Sequence, residues 1–241
     1  MGDHSAFGRV YPERSNFRLS PREVQVDDIN FTLVIHNSQI MIKCNPPEDI
    51  DPFTLRNVLL RGVRSQVDLY GFLEGRAYDV EIDGMLTPSG DQYFFEFEIP
   101  SLSVKEEDIK SEYERKIKSL FENGNAKYLQ RSLHDFRLAI KDPHETGFAC
   151  YRSIESIRKH FHILRDIPDD TDHRSKAWAA MHDALGTEKE DIIKIQQNFA
   201  NERRHGGINP VTDEEREEIF LITHDTIFKY IDYLYERQDS S

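Results

Sequence analysis

Up to about residue 103, polar and apolar positions alternate mostly with a period of two; beyond it, apolar positions recur mostly at helical spacing. Phe31, Leu33 and Ile35 alternate with Thr32, Val34 and His36. Asn37-Ser38 then supplies a turn, and Ile40, Ile42 and Cys44 alternate beyond it, which predicts a hairpin. Asn45-Pro46-Pro47 ends the second strand, because proline has no amide to donate to a ladder. A helix is predicted to open near Asp51-Pro52, with Leu55, Val58, Leu59, Val63 and Val67 on one face and Arg56, Arg61 and Arg64 off it. Tyr78, Val80 and Ile82 alternate with Asp79, Glu81 and Asp83, a half-buried strand expected to face that helix. Phe95, Phe97 and Ile99 alternate with Glu96 and Glu98 and predict another, stopped by Pro100. The first 20 residues, with Gly, Pro and scattered Arg, are expected to be partly mobile.

Helices fill the rest. A charged helix is predicted over 106–122 and broken at Asn123-Gly124-Asn125. Others are predicted near 126–141, 144–165, 173–185 and 187–204. The last runs near 212–237, where Thr212 and Glu215 have capping-box spacing. The fold class that follows is α+β: a small α+β module of antiparallel strands with one helix over 1–103, a helical linker over 104–124, and an all-α bundle over 125–241. The last helix carries a wide apolar stripe that includes Ile219, Phe220, Ile227, Tyr230 and Leu234, so a homodimer is expected.

Composition narrows the function. The 241 residues carry 31 Lys and Arg against 44 Asp and Glu, a net charge of −13, which disfavours nucleic-acid binding by bulk charge but not a local basic site. No apolar run approaches the roughly 20 residues of a membrane helix, and Met1–Val10 has no apolar leader core, so a cytoplasmic protein with no membrane partner is expected. Cys44 and Cys150 read as small core residues. His160, His162, His173 and His182 lack ligand-like spacing and read as solvated or hydrogen-bonded side chains; no metal and no cofactor is predicted. Glu155 and Arg158 read as an exposed helical pair, and the strand carboxylates Asp79, Glu81, Asp83, Glu96 and Glu98 as a solvated face.

One cluster could carry chemistry: Phe199-Ala200-Asn201-Glu202-Arg203-Arg204-His205-Gly206-Gly207, at a predicted helix end. Cations there complement the helix carbonyls, and Gly206 can cap them. The same residues can form an anion site, because arginine forks onto phosphate and histidine exchanges protons near neutrality. Tyr151-Arg152-Ser153-Ile154-Glu155 and Asn201–Gly206 together resemble motifs of the HEPN family (higher eukaryotes and prokaryotes nucleotide-binding domains) over roughly 125–237. The resemblance implies a HEPN-like helical bundle that dimerises, of a kind found in toxin–antitoxin and antiviral systems, many members being metal-independent ribonucleases with composite Arg and His sites. Asn201 and His205 take the motif Asn and His, and Ala200 stands where the motif Arg would be. The leading reading is therefore an accessory or defence protein that binds a protein partner or RNA without catalysis. One alternative is an endoribonuclease using His205 with Arg203 or Arg204, and Asn201 beside them. The other is a protein–protein adaptor without a ligand site.

Overall fold

The computed structural model describes residues 3–47, 50–95, 99–102, 109, 111–114, 116–117, 126–205 and 212–239. The chain divides into two compact units, Met1–Glu96 and Phe97–Ser241.

The first unit is a six-stranded antiparallel sheet carrying one long helix. Its strands are β1 (His4–Tyr11), β2 (Leu19–Val26), β3 (Ile29–His36), β4 (Gln39–Cys44), β5 (Asp79–Leu86) and β6 (Gln92–Phe94), and helix α1 spans Pro52–Glu74. The sheet order is β2-β3-β4-β1-β5-β6. The predicted β3–β4 hairpin is present. Asn37 and Ser38 both take positive φ, as a two-residue turn matched to strand twist requires. Phe31, Leu33 and Ile35 pair with Cys44, Ile42 and Ile40, and all six are buried.

The amino-terminal segment departs from expectation. β1 lies inside the sheet between β4 and β5. Its inward residues are Ala6, Gly8 and Val10, too small to give a strong alternation. A Cβ on Gly8 would stand 2.0 Å from the Glu81 carbonyl oxygen, so glycine permits this close approach of β1 to β5. Helix α1 begins as predicted: Asp51 accepts hydrogen bonds from the Phe53 and Thr54 amides, each at 2.9 Å. It runs on to Gly75, which ends it with φ of 67°. Leu55, Leu59, Val63 and Val67 bury against the sheet beneath Val80 and Ile82. Arg56, expected off the stripe, is buried. The strand expected around Phe95 appears earlier, as β6; residues 96–98 lie outside the described residues.

The second unit is helical: α2 (Ala126–Lys141), α3 (Thr146–Leu164), α4 (Arg174–Leu185), α5 (Lys189–Ile195), a π turn (Gln196–Ala200), α6 (Asn201–Arg204) and α7 (Asp213–Asp239). Most of the helix predicted over 106–122 lies outside the described residues. Helix α3 is central and packs against α2, α4 and α7. Ile154, Ile157 and Phe161 of α3 bury with Leu129, Met181 and Tyr230. The predicted capping box opens α7: the Thr212 amide donates to Glu215 Oε2 at 2.9 Å, and the Glu215 amide to Thr212 Oγ1 at 3.3 Å. The apolar stripe of α7 serves this unit's own core, since Ile219, Phe220, Ile227, Tyr230 and Leu234 are all buried in it. Lys116 Nζ sits 3.6 Å from the Phe228 ring centroid, while Phe228 and Leu221 of the same helix stay exposed. No helix among the described residues is long and apolar enough to cross a membrane.

Candidate functional site

The site begins with the way α5 ends. The segment passes through the π turn at Gln196–Ala200 before α6 resumes α-helical geometry. The turn packs closely against α3: a Cβ on Gly147 would lie 2.4 Å from Phe199 Cβ. Glycine thus lets the π turn press onto α3, and Ala200 is buried there. An inserted π turn re-aims the residues that follow it, which is why such turns recur at functional sites.

Asn201 is half-buried, while Arg204 and His205 are exposed. The His205 amide donates to the Asn201 carbonyl at 3.1 Å, closing the last turn. The side chain of Arg203 and the cap expected at Gly206 lie outside the described residues.

Helix α6, which carries Arg204, packs against α3, which carries Tyr151. Burial, with the nearby Glu155 carboxylate, pushes the Tyr151 phenol up to about 12, while Arg158, Arg174 and Arg204 oppose the rise. Arg158, Arg174 and Arg204 lie on α3, α4 and α6, and α3 packs against both of the others. Tyr151 stacks on Trp178 of α4 at a centroid separation of 6.3 Å, and Trp178 stacks on His182 at 5.8 Å. Arg174 precedes Trp178 by one helical turn and so shares its face.

Arg158 corrects the expectation of an exposed pair with Glu155. It is only 6% exposed. Its guanidinium carbon lies 5.6 Å from the Trp178 ring centroid, and Nη1 donates to His162 Nε2 at 2.8 Å. The other ring nitrogen, His162 Nδ1, donates to the Pro168 carbonyl at 2.9 Å. The carbonyl fixes the tautomer, and the tautomer leaves Nε2 free to accept from Arg158. Arg158 Nε is buried without a hydrogen-bond partner. Burial, reinforced by Arg174, holds the guanidinium below its usual value.

The other three histidines singled out in the sequence, His160, His173 and His182, are hydrogen-bonded. His160 is buried, bonds the Tyr230 hydroxyl through Nδ1 and stacks on Tyr128 at 5.0 Å. His173 bonds Asp170 at 2.8 Å, and His182 bonds Thr187 Oγ1 at 2.9 Å. Among the described residues no group of three His, Cys, Asp or Glu side chains could hold a metal ion. In the first unit, Arg9 of β1 lies 3.7 Å from Asp83, so the strand carboxylates are partly neutralised by their neighbour.

The sequence put forward His205, Asn201, Arg204 and Arg203 as candidates, held Tyr151 only within the HEPN-like string, and missed Arg158, Arg174 and Trp178. A same-face signal existed for Arg158. Tyr151, Glu155, Arg158 and His162 fall at one helical spacing, a polar and aromatic row beside the buried apolar Ile154, Ile157 and Phe161.

Two family models match the chain. One, described as the C-terminal domain of DUF8168, a domain of unknown function, matches residues 115–235; the other, described as the N-terminal domain of DUF8168, matches residues 5–95. No curated protein and no solved structure matches it.

Proposed function

The chain belongs to the DUF8168 family, and we propose that its C-terminal unit is a HEPN-like module that binds RNA without cleaving it. The observation that carries this reading is the packing of α4 and α6 against α3, which sets Arg158 over the Trp178 ring beside Tyr151, with exposed Arg174 one turn before Trp178 and exposed Arg204 on α6. Guanidinium groups bind phosphate oxygens in forked pairs, and a phenol that stays protonated can donate a further hydrogen bond. Ala200 supports the absence of cleavage. It stands in the place of the motif Arg, has no donor, and is committed to the core. A metal-independent cleavage site needs a cation fixed against the charge that develops on phosphorus, as well as a proton-transfer group. The same reading includes a homodimer, which mass measurement by light scattering tests directly.

Anisotropy of a labelled single-stranded RNA, titrated with the full chain, tests the function. Binding is expected, with the RNA recovered intact and His205→Ala without effect on its integrity. The paired change Arg174→Gln with Arg204→Gln should weaken binding at least about tenfold, since each lost charged hydrogen bond is worth about 1.5–3 kcal/mol. His205-dependent cleavage would instead establish the ribonuclease alternative. Binding unaffected by the paired change would remove this site from the reading.

A further inference from the structure

Helix α1 packs on one face of the six-stranded sheet. The other face carries large apolar side chains in the open: Phe7, Met41 and Phe94 are 42%, 51% and 66% exposed. The register sets them side by side across the strands. Val34 of β3 pairs with Met41 of β4, Met41 with Phe7 of β1, Phe7 with Gly84 of β5, and Gly84 with Phe94 of β6. We propose that this row docks a segment of another protein that presents large apolar side chains with lysine or arginine beside them. The surface belongs to the first unit and is independent of the RNA-binding reading of the second.

An antiparallel sheet with one open face places apolar residues inward and polar ones outward. Most of this face obeys, as at Asn30, Thr32 and Gln39. Single apolar exceptions on a surface need no explanation, but these share one register row and adjoin one another. Gly84 makes the row continuous. A Cβ there would stand 2.5 Å from Phe7 Cζ, so the bare backbone of β5 lets the Phe7 ring lie across it. The ring meets Phe94 edge to face at 6.3 Å. Five strands about 4.8 Å apart make the row about 19 Å long, room for several anchoring side chains of one segment.

Charge chooses the occupant. Asp83, Glu81 and Asp79 run along β5 away from Gly84, at positions that are half-buried rather than enclosed. Arg9 of β1 stands opposite Glu81 and is shared between Glu13 and Asp83. Lys43 of β4 is held by Asp3 at 3.0 Å. Glu23 of β2 lies on the same side, where it accepts from Thr32 at 2.7 Å. Arg22 turns the other way, to Gln66 of α1. Among the strand residues, four carboxylates on this face thus meet two cations, each of which already has a carboxylate partner. Such a border attracts lysine or arginine and repels the phosphates of RNA or of an anionic membrane. Outward positions two apart on a strand are about 7 Å apart, so the partner's cations should stand about that far to one side of its apolar residues.

Selection of a displayed library of random peptides on the full chain tests the proposal, with the paired variant Met41→Ser, Phe94→Ser as the counter-selection target. Both positions are exposed, and a thermal melt checks that the variant folds as the wild type does. The most enriched peptide, synthesised and titrated calorimetrically, is expected to carry at least two large apolar residues and an excess of Lys and Arg over acids. It should bind the paired variant at least about tenfold more weakly. Glu81→Lys should weaken it about threefold, and exchanging the peptide's own basic residues for Glu should abolish binding. Enriched peptides that are neutral or acidic, or binding that survives both charge reversals, would overturn the choice of partner. Failure to find any peptide that distinguishes the wild type from the paired variant would overturn the docking surface. Light scattering that found a dimer of the wild type, and a monomer of the paired variant, would give the row to a second copy of this chain and overturn the proposal as well.

Discussion

The two units bury different chemistry. Between the sheet and α1, the described interior is aliphatic and aromatic, with Ser38 and Arg56 as its buried polar residues. In the helical unit, α3 alone buries Thr146, Ser153, Arg158, His160 and His162. Part of that polarity is structural. Ser132 and Ser153 hydroxyls bond at 2.8 Å, and Asp135, fully buried, receives Arg131 at 3.0 Å together with Arg152. Such pairs fix how α2 meets α3, because an unmatched polar group in either helix would be penalised. Arg158 is of a second kind: it is held by the His162 imidazole and lies over Trp178 of α4, where Arg152 pairs with the Asp135 carboxylate. Each of the two arginines keeps a buried Nε without a partner, so what separates them is the chemistry of the group that holds them.

The largest expected effect tests the dry interior of the first unit. Val80 is 1% exposed, between the sheet and α1. Val80→Asp buries a charge with no counterpart and should cost about 3–5 kcal/mol. Glu81→Lys, on the outer side of the same strand, should change stability by less than about 0.5 kcal/mol. Denaturant melts followed in this unit compare the two, and equal effects would refute the assignment of faces.

A pH titration probes the polar interior of the second unit. Burial holds the His160 imidazole down to about 4, against an ordinary value of 6.5. The folded state therefore binds this proton less well than the unfolded chain. The stability it contributes is full above about pH 6.5, declines as the pH falls, and is gone by about pH 4. The span corresponds to an effect on the order of 3 kcal/mol. Melting temperature should drop over that window, and His160→Phe should flatten the drop. A profile unchanged by the substitution would assign the loss to other groups, with His182 and His224, also depressed by burial, the next to test.

Gly147→Ala links packing to the site. The added methyl would stand 2.4 Å from Phe199 Cβ and must push the π turn away from α3. Overpacking of this kind costs about 1–3 kcal/mol. Because Arg204 follows that turn, RNA affinity should fall in the folded variant as well. Gly75→Ala ends α1 far from any such contact, at a φ of 67° with nothing within 4 Å, and should cost stability without touching RNA binding. A Gly147→Ala variant with full affinity would separate the turn from the site.

These contrasts show where the sequence was readable. The β3–β4 hairpin, the inner face of α1 and the capping box of α7 were legible because each is written in neighbouring residues: alternation, helical spacing, and Thr212 three positions before Glu215. β1 was not, because Ala6 and Gly8 give its inner side almost no hydrophobic signal while tertiary pairing holds both its edges. The candidate site divides the same way. Arg204 and Tyr151 stood in recognisable strings. Arg158 looked exposed because charged residues usually are, and only the packing of α4 over α3 buries it. Arg174 and Trp178 join through that same packing, which no local pattern encodes.

The smallest expected effect concerns the start of α7. Thr212 and Glu215 exchange two backbone-to-side-chain hydrogen bonds at an exposed helix end. Thr212→Ala removes the acceptor of the Glu215 amide and should cost about 1 kcal/mol. Thr212→Ser keeps the hydroxyl and should restore most of it. Neither change removes a cation from the Arg158, Arg174 and Arg204 cluster, so RNA affinity should be unchanged while the melting temperature of the helical unit falls slightly. A loss of affinity matching that of Arg204→Gln would mean that the first turn of α7 takes part in the anion site. An unchanged melt would mean that water replaces the cap at no net cost.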